Sequence, residues 1–494
     1  MQASSRSEEQ KRFDLIFWAG QALFLLINLV TVKDGHNWGD DFAQYIIHAQ
    51  NMLNGRPYLE GLNLDSWVTG LPGYPLVLAG LMAVFGLSFP VFKAANALFW
   101  AGNCIVVFYI ARRYLRIEFA AAASLILASS PFIFTFKQNV LSDILFAFLA
   151  SASLWAYILY RDSKPKTRSN ADRWFTAAMV LAALAAMTRH AGMVLFLVFY
   201  LSGTANRDKQ KYAAAPFFFL IAVKLILLFW SVPLTGNLKE LSGLAENPLS
   251  LVMGSFAYNI LAIAVFLFPY AANPFAPGLS GGVYEVMKFL SVPGILFLTG
   301  WLFYGVNKRR ISVRALFTIL YFLSITLWPI SDGVRYVLPL AGFAVIGLMY
   351  GVQRLNEKLK MGDVPMYAIA GAFLLFNLMC VLVRFGYNDD DIGREHNREM
   401  IAWVAENTSE EDRFAARYPR AIGLLAARQG VQNWFLPEKP EMLLERIKEH
   451  KIKYLIFEHD RLAPAFAQII RPRGDFAEVW RNDAYVIYEV KNLE

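Results

Sequence analysis

Two adjacent carboxylates, Asp40 and Asp41, stand a few residues beyond the first long apolar run of the chain, in His36-Asn37-Trp38-Gly39-Asp40-Asp41-Phe42-Ala43-Gln44-Tyr45. Neighbouring acids repel unless they are solvated, bind a cation, or raise one another's pKa for acid–base work. A plainer use is capping: either acid could cap a helix running from Phe42 to Leu53, where a first-turn charge is favoured by the helix dipole. Both uses stay open, and one residue could serve both. Arg189, in Thr188-Arg189-His190-Ala191-Gly192, is a turn cation that either binds phosphate or snorkels to lipid headgroups. Lys224 lies within an apolar run, a costly place without a counter-charge or a route to the interface. His36, His48 and His190 could join the acids around a metal, but no metal-ligand spacing supports it. Cys104 and Cys380 both fall inside apolar runs and build neither a disulfide framework nor a metal site.

The elements that must position these groups are membrane helices. Of 494 residues 56% are hydrophobic and 17% charged, a shortfall of charge against the roughly one quarter usual in soluble domains. Apolar runs near 13–32, 91–111, 118–137, 141–160, 174–188, 190–203, 213–234, 286–306, 315–331, 335–353 and 365–386 predict a mostly α, polytopic helical bundle of about eleven spans. The net charge of +8 is carried by short basic clusters between these runs. That pattern marks cytoplasmic loops and speaks against a nucleic-acid surface. Placing the N-terminus and the clusters at 112–116, 161–173, 207–211, 308–314 and 354–360 in the cytoplasm sends the loop 33–90 and everything after 387 outward. The parity requires that Pro72 to Phe89 and Leu251 to Pro269, both bordered by Pro or Gly, lie at the interface or re-enter without crossing.

The chain divides at 387. Residues 1–387 form the membrane domain, with 33–90 as its first outward loop, and 388–494 form a small extracytoplasmic domain rich in mixed charge. Periodicity predicts helices at Glu395–Asn407, Ala421–Arg428 and Lys439–His450. It also predicts strands at Arg413–Tyr418 and Lys453–Glu458, and a hairpin around Arg481-Asn482-Asp483, hence an α/β fold. Trp38, Tyr45, Tyr58, Trp67 and Tyr74 could stack on sugars, although an interfacial aromatic belt is the plainer reading.

The acidic pair, the Asn54-Gly55-Arg56-Pro57-Tyr58 turn and the Leu71-Pro72-Gly73-Tyr74-Pro75 segment, in this order after a first span, resemble the GT-C glycosyltransferases. The protein O-mannosyltransferases and the aminoarabinose transferase of lipid A are the nearest in pattern. The resemblance implies a sugar donor on polyprenyl phosphate, a lipid, glycan or protein acceptor, and an acid of the first outward loop as general base. Asp40 falls at the matching place; many members have Asp-Glu where this chain has Asp40-Asp41, so which acid is the base stays open. The resemblance also implies a second acid at Asp143, which could equally cap the helix that follows, and cations for the donor phosphate at Arg189, at Arg335 before Tyr336, and at Lys224. A divalent cation is the cofactor it leaves open. The implied location is a bacterial inner membrane. The alternative is a transporter or flippase of a lipid-linked or small polar substrate, which would more often show internal repeats; none is visible in the sequence. A receptor whose tail binds the ligand would leave the Asp40-Asp41 loop without a role.

Overall fold

The computed structural model describes residues 2–58, 71–163, 168–202, 248–267, 312–328, 333–360, 364–384, 390–432, 440–459 and 475–491. In chain order the helices are α1 (Gln2–Val30), α2 (Asp40–Leu53), α3 (Gly73–Phe85), α4 (Phe89–Ala111), α5 (Ile117–Ala128), α6 (Pro131–Phe136), α7 (Asp143–Asp162) and α8 (Arg168–Thr188). They continue with α9 (Met193–Leu201), α10 (Pro248–Leu267), α11 (Val313–Thr326), α12 (Leu338–Leu359), α13 (Val364–Arg384), α14 (Glu395–Asn407), α15 (Pro419–Ala426) and α16 (Pro440–His450). The strands are β1 (Arg413–Ala416), β2 (Gln429–Gln432), β3 (Ile452–Glu458), β4 (Phe476–Arg481) and β5 (Tyr485–Val490). The chain forms two compact units, one of residues 1–32, 93–137 and 142–386, the other of 33–92, 138–141 and 387–494.

The first unit is a helical bundle. Among the described residues, five helical stretches are long and apolar enough to cross a membrane: Gln10–Val30, Phe89–Ala111, Ile117–Phe136, Asp143–Asp162 and Val334–Leu359. The chain is an integral membrane protein. Each of the five overlaps an expected span; the expected spans at 213–234 and 286–306 lie outside the described residues. Among the described residues, further apolar helical stretches run at His190–Leu201, Val252–Ile263, Val313–Thr326 and Ala370–Leu382. Pro131 cannot supply an amide to the ladder, so the third stretch breaks between α5 and α6.

With water absent from a bilayer, polar side chains of a bundle bond to one another. Gln21 Nε2 donates to Ser124 Oγ at 3.0 Å, and that hydroxyl donates to the Cys104 carbonyl at 2.7 Å, tying α1, α5 and α4 together. Asn377 on α13 donates to Ser129 Oγ at 2.9 Å beside the Pro131 break. One end of the bundle collects the basic clusters. There Arg112 pairs with Asp14 at 3.2 Å, Arg113 with Asp162 at 2.8 Å, and Arg314 lies 3.4 Å over the Tyr114 ring. The Arg116 amide donates to Gln353 at 3.1 Å at the same end.

In the second unit, α3 spans 13 residues, about 20 Å at 1.5 Å per residue and short of a hydrocarbon core of about 30 Å. Its Leu76, Val84 and Phe85 are exposed, which suits a helix lying at an interface. The tail is a five-stranded mixed sheet of order β2-β1-β3-β5-β4. The β1–β2 and β1–β3 pairs are parallel; β3–β5 and β4–β5 are antiparallel. Strand β3 is buried on both faces, Leu455 and Phe457 packing with Ile447 of α16, Tyr454 and Ile456 with Met400 and Val404 of α14 and Ile422 of α15. Such burial requires a continuous apolar run, and Lys453–Glu458 supplies one. β2, the parallel edge strand, was not expected from the sequence.

Gly192 ends the turn after α8, where a Cβ would sit 2.4 Å from the Ala186 amide nitrogen and 2.5 Å from the Ala185 carbonyl carbon. That obstacle is backbone and cannot rotate away. Gly192→Ala is therefore expected to destabilise the purified protein by about 1–3 kcal/mol, read as a lower midpoint of thermal unfolding in detergent. An unchanged midpoint would contradict this packing.

Candidate active site

In the second unit the acidic pair is built into a three-stranded clasp of loops. The His36 amide donates to Asp390 Oδ1 at 3.1 Å, and the Ile392 amide donates back to the His36 carbonyl at 3.0 Å. The Val140 amide donates to His36 Nε2 at 2.9 Å, while His36 Nδ1 lies 2.9 Å from the Asn37 carbonyl. An acceptor at one nitrogen and a donor at the other define a neutral imidazole with its proton on Nδ1. Gly35 has φ +74° and the Asp390 carboxylate occupies the place a Cβ would take, so only glycine fits. Trp38 donates its amide to Asp391 at 3.3 Å and stacks on Tyr418, centroids 5.8 Å apart. Trp38 is thus a packing residue of this unit; Trp67 lies outside the described residues.

Asp40 and Asp41 occupy the first turn of α2, whose N-cap is Gly39. Asp40 reaches α15. Its Oδ2 accepts from Arg420 Nε at 2.7 Å, and its Oδ1 accepts from the Ala421 amide at 3.0 Å, in the first turn of α15. Arg420 Nη1 also donates to Gln44 of α2, and Nη2 lies 3.7 Å from Asp41. The structure does not show the expected capping of α2 by Asp40, whose carboxylate accepts instead from a first-turn amide of α15. Burial separates the two acids: the side chain of Asp40 is 8% exposed and that of Asp41 47%. Burial raises the Asp40 pKa above the usual carboxylate value and outweighs the lowering by Arg420 and the Ala421 amide. Close by, His48 holds Tyr58 through Nδ1–H···O=C at 2.8 Å and ring stacking, and burial lowers its pKa.

In the first unit Asp143 begins α7, and its side chain is 1% exposed. It does not act as the helix cap, a position held by Ser142. Arg189 Nη1 meets its Oδ1 at 2.5 Å, and Arg335 Nε lies 3.5 Å from each carboxylate oxygen. Both guanidinium groups also lie against the Tyr336 ring, at 5.2 and 5.9 Å from its centroid, and Tyr321 donates its hydroxyl to the Tyr336 carbonyl at 2.9 Å. The structure therefore brings three expected site residues, Asp143, Arg189 and Arg335, into one cluster. Lys224 and Asp332 lie outside the described residues.

Comparison with known proteins agrees with this architecture. The family model of dolichyl-phosphate-mannose-protein mannosyltransferases matches residues 70–234. No curated protein matches the sequence significantly. The oligosaccharyltransferase of Archaeoglobus fulgidus, solved with Zn and sulfate, superposes with a TM-score of 0.60 at 14% identity, over 89% of this chain and 68% of that one. The oligosaccharyltransferase AglB from Archaeoglobus fulgidus, in complex with an inhibitory peptide and a dolichol-phosphate, gives 0.54 at 13% identity, over 90% and 69%. ArnT from Cupriavidus metallidurans bound to undecaprenyl phosphate gives 0.53 at 14% identity, over 96% and 97%. The chain has the GT-C fold. The resemblance to the GT-C glycosyltransferases stands.

Within this fold, Arg420 is a residue of the Asp40 cluster that sequence reasoning missed. A cation in the first turn of a helix opposes the dipole, and that mismatch was the one local sign that Arg420 has an anionic partner elsewhere. Among the described residues, no three His, Cys, Asp or Glu side chains gather as a metal site. His36 and His48 spend their ring nitrogens on Val140, Asn37, Tyr58 and Gln44.

Removing one partner of a buried ion pair strands the other, at a cost of about 3–5 kcal/mol. Arg335 remains near Asp143, so Arg189→Ala is expected at the lower end of that range. Arg189→Ala with Asp143→Asn should cost less than the two single losses added together, which thermal unfolding of the four proteins would show. Strict additivity would mean that the pair is not coupled.

Proposed function

We propose that this protein is a membrane glycosyltransferase that moves a sugar from a polyprenyl-phosphate donor to a lipid, glycan or protein acceptor on the extracytoplasmic face. The observation that carries the reading is Asp40: a buried carboxylate fixed at both oxygens and more basic than an ordinary aspartate. Two solved proteins of the same fold support the donor class, one holding a dolichol-phosphate and the other undecaprenyl phosphate. The polyprenyl chain stays in the bilayer, while its phosphate and sugar reach the surface.

In this reaction the acceptor hydroxyl or amine attacks the anomeric carbon as Asp40 takes its proton. The bond from that carbon to the phosphate oxygen breaks, and polyprenyl phosphate leaves with the electron pair. A single displacement inverts the anomeric configuration. Arg189 and Arg335, with Lys224, offset the charge developing on the phosphate. Asp143 is given the task of holding the two guanidinium groups, on the strength of its contacts with both. A divalent cation would supply further charge neutralisation at the phosphate. The end of the bundle that carries the basic clusters faces the cytoplasm, as does the N-terminus, and the tail lies outside, in a bacterial inner membrane.

Transfer from radiolabelled undecaprenyl-phosphate monosaccharides (mannose, glucose, galactose and aminoarabinose) in membranes with and without the protein tests the reading. Asp40→Asn at normal abundance should lower transfer by about 100-fold or more, whereas Asp41→Asn should retain most of it. Full activity in Asp40→Asn would dismiss the base. No transfer from any donor, together with protein-dependent movement of the lipid-linked sugar across the bilayer, would point to a flippase instead. The pH dependence is a second check. A base must be deprotonated to work, so a raised pKa means that the rate is lost as pH falls through a value above the ordinary 3.8 of aspartate. A rate that holds level down to about pH 4 would contradict this environment.

A further inference from the structure

The tail contributes more to the acidic loop than coverage. Arg420 is 11% exposed, and its guanidinium meets Asp40, Gln44 and Asp41 together, while the next residue offers its backbone amide to the second Asp40 oxygen. The groups that face Asp40 are thus Arg420 and the Ala421 amide from α15, with Asp41 and Gln44 from α2, and Tyr45 and His48 are the next titratable groups along α2. Pro419 occupies the first turn of α15 and packs against Gly430 of β2, where a Cβ would stand 2.8 Å from the proline ring. Proline supplies no amide at the start of a helix, which leaves the Ala421 amide as one of the few unsatisfied donors there. Arg420 therefore rides on an element fixed to the sheet and meets a carboxylate fixed by α2.

From this geometry we infer that Arg420 is a positioning residue for the transfer reaction: it orients the Asp40 carboxylate and keeps it ionised in a buried place, so that the tail is part of the catalytic apparatus. The inference rests on the reading of Asp40 as the base. A guanidinium at 2.7 Å favours the charged form, and burial opposes it. Taking away the cation leaves burial alone. An aspartate relieved of such a neighbour rises by about one to three pKa units.

Two readouts separate this inference from the reading beneath it. The first is an infrared pH titration of the full-length protein in detergent, with the Asp40 carboxyl band identified by its loss in Asp40→Asn. The second is the pH profile of sugar transfer from whichever undecaprenyl-phosphate monosaccharide of the panel is active. In Arg420→Gln the band should appear at a pH about one unit or more higher, the acid limb of the transfer profile should move with it, and Arg420→Lys should restore part of both. Glu458→Gln, which breaks the Arg417–Glu458 pair at 3.0 Å in the same sheet, should move neither. If Arg420→Gln does not accumulate, Gln44→Met removes the side-chain acceptor that steadies the guanidinium and should shift the band the same way by less. A band that stays in place in these variants overturns the inference, even if Asp40→Asn abolishes transfer and the base reading survives. A band that moves while Asp40→Asn still transfers sugar overturns Arg420's part in catalysis together with the base itself.

Discussion

A charge withdrawn from water must be met by an opposite charge, and this constraint organises a cluster in each of the two units. Asp143 is sealed at the start of α7 and draws in Arg189 and Arg335, residues 46 and 192 positions away. Asp40 is sealed at the start of α2 and draws in Arg420, 380 positions away. Neither acid spends its carboxylate on capping its own helix, although each sits where capping is possible. The desolvation cost of a buried carboxylate is several kcal/mol, more than the roughly 1 kcal/mol a cap returns. The stronger demand therefore decides where each carboxylate points.

This ranking explains which parts of the protein could be read from its sequence. Helices and strands follow local periodicity, and so α14 was expected at Glu395–Asn407 and is found there, while β3 and the β4–β5 hairpin fall where the apolar runs and the Asn482 turn put them. Strand β2 escaped because four residues, Gln429–Gln432, carry too little pattern to separate an edge strand from a loop. Asp40, Asp143, Arg189 and Arg335 were visible because each stands in a short motif. Arg420 had no such motif: the residues that give it meaning stand 376 and 380 positions earlier in the chain. A pairing of that range leaves no periodic trace, only the oddity of a cation at a helix start.

The clasp around His36 shows the same limit from another side. As a sequence feature, a histidine beside two acids suggests a metal ligand. In the fold, its Nε2 accepts the Val140 amide and its backbone joins Asp390 and Ile392. Buried backbone groups in loops need partners as much as side chains do, and a neutral imidazole can accept and donate at once. The ring therefore ties 33–39, 138–141 and 390–393 into one body without introducing charge. Those three segments are separated in sequence by membrane helices, which is why the compact unit they form has no continuous boundary in the chain.

A general base on this scaffold has to satisfy two opposed requirements. Exposed to water, an aspartate is too weakly basic to take a proton from a hydroxyl as it attacks; buried alone, it would be protonated and could take none. The geometry at Asp40 lies between these limits. Burial raises its basicity, and Arg420 with the Ala421 amide limits the rise by stabilising the anion. Asp41, half exposed and only 3.7 Å from the same guanidinium, has no comparable burial. Adjacent carboxylates of identical chemistry are thereby made unequal by their surroundings, which is how a pair of acids acquires separate roles. The difference rests on burial, and one arginine that the tail carries limits it, so a residue late in the chain bears on an acid early in it.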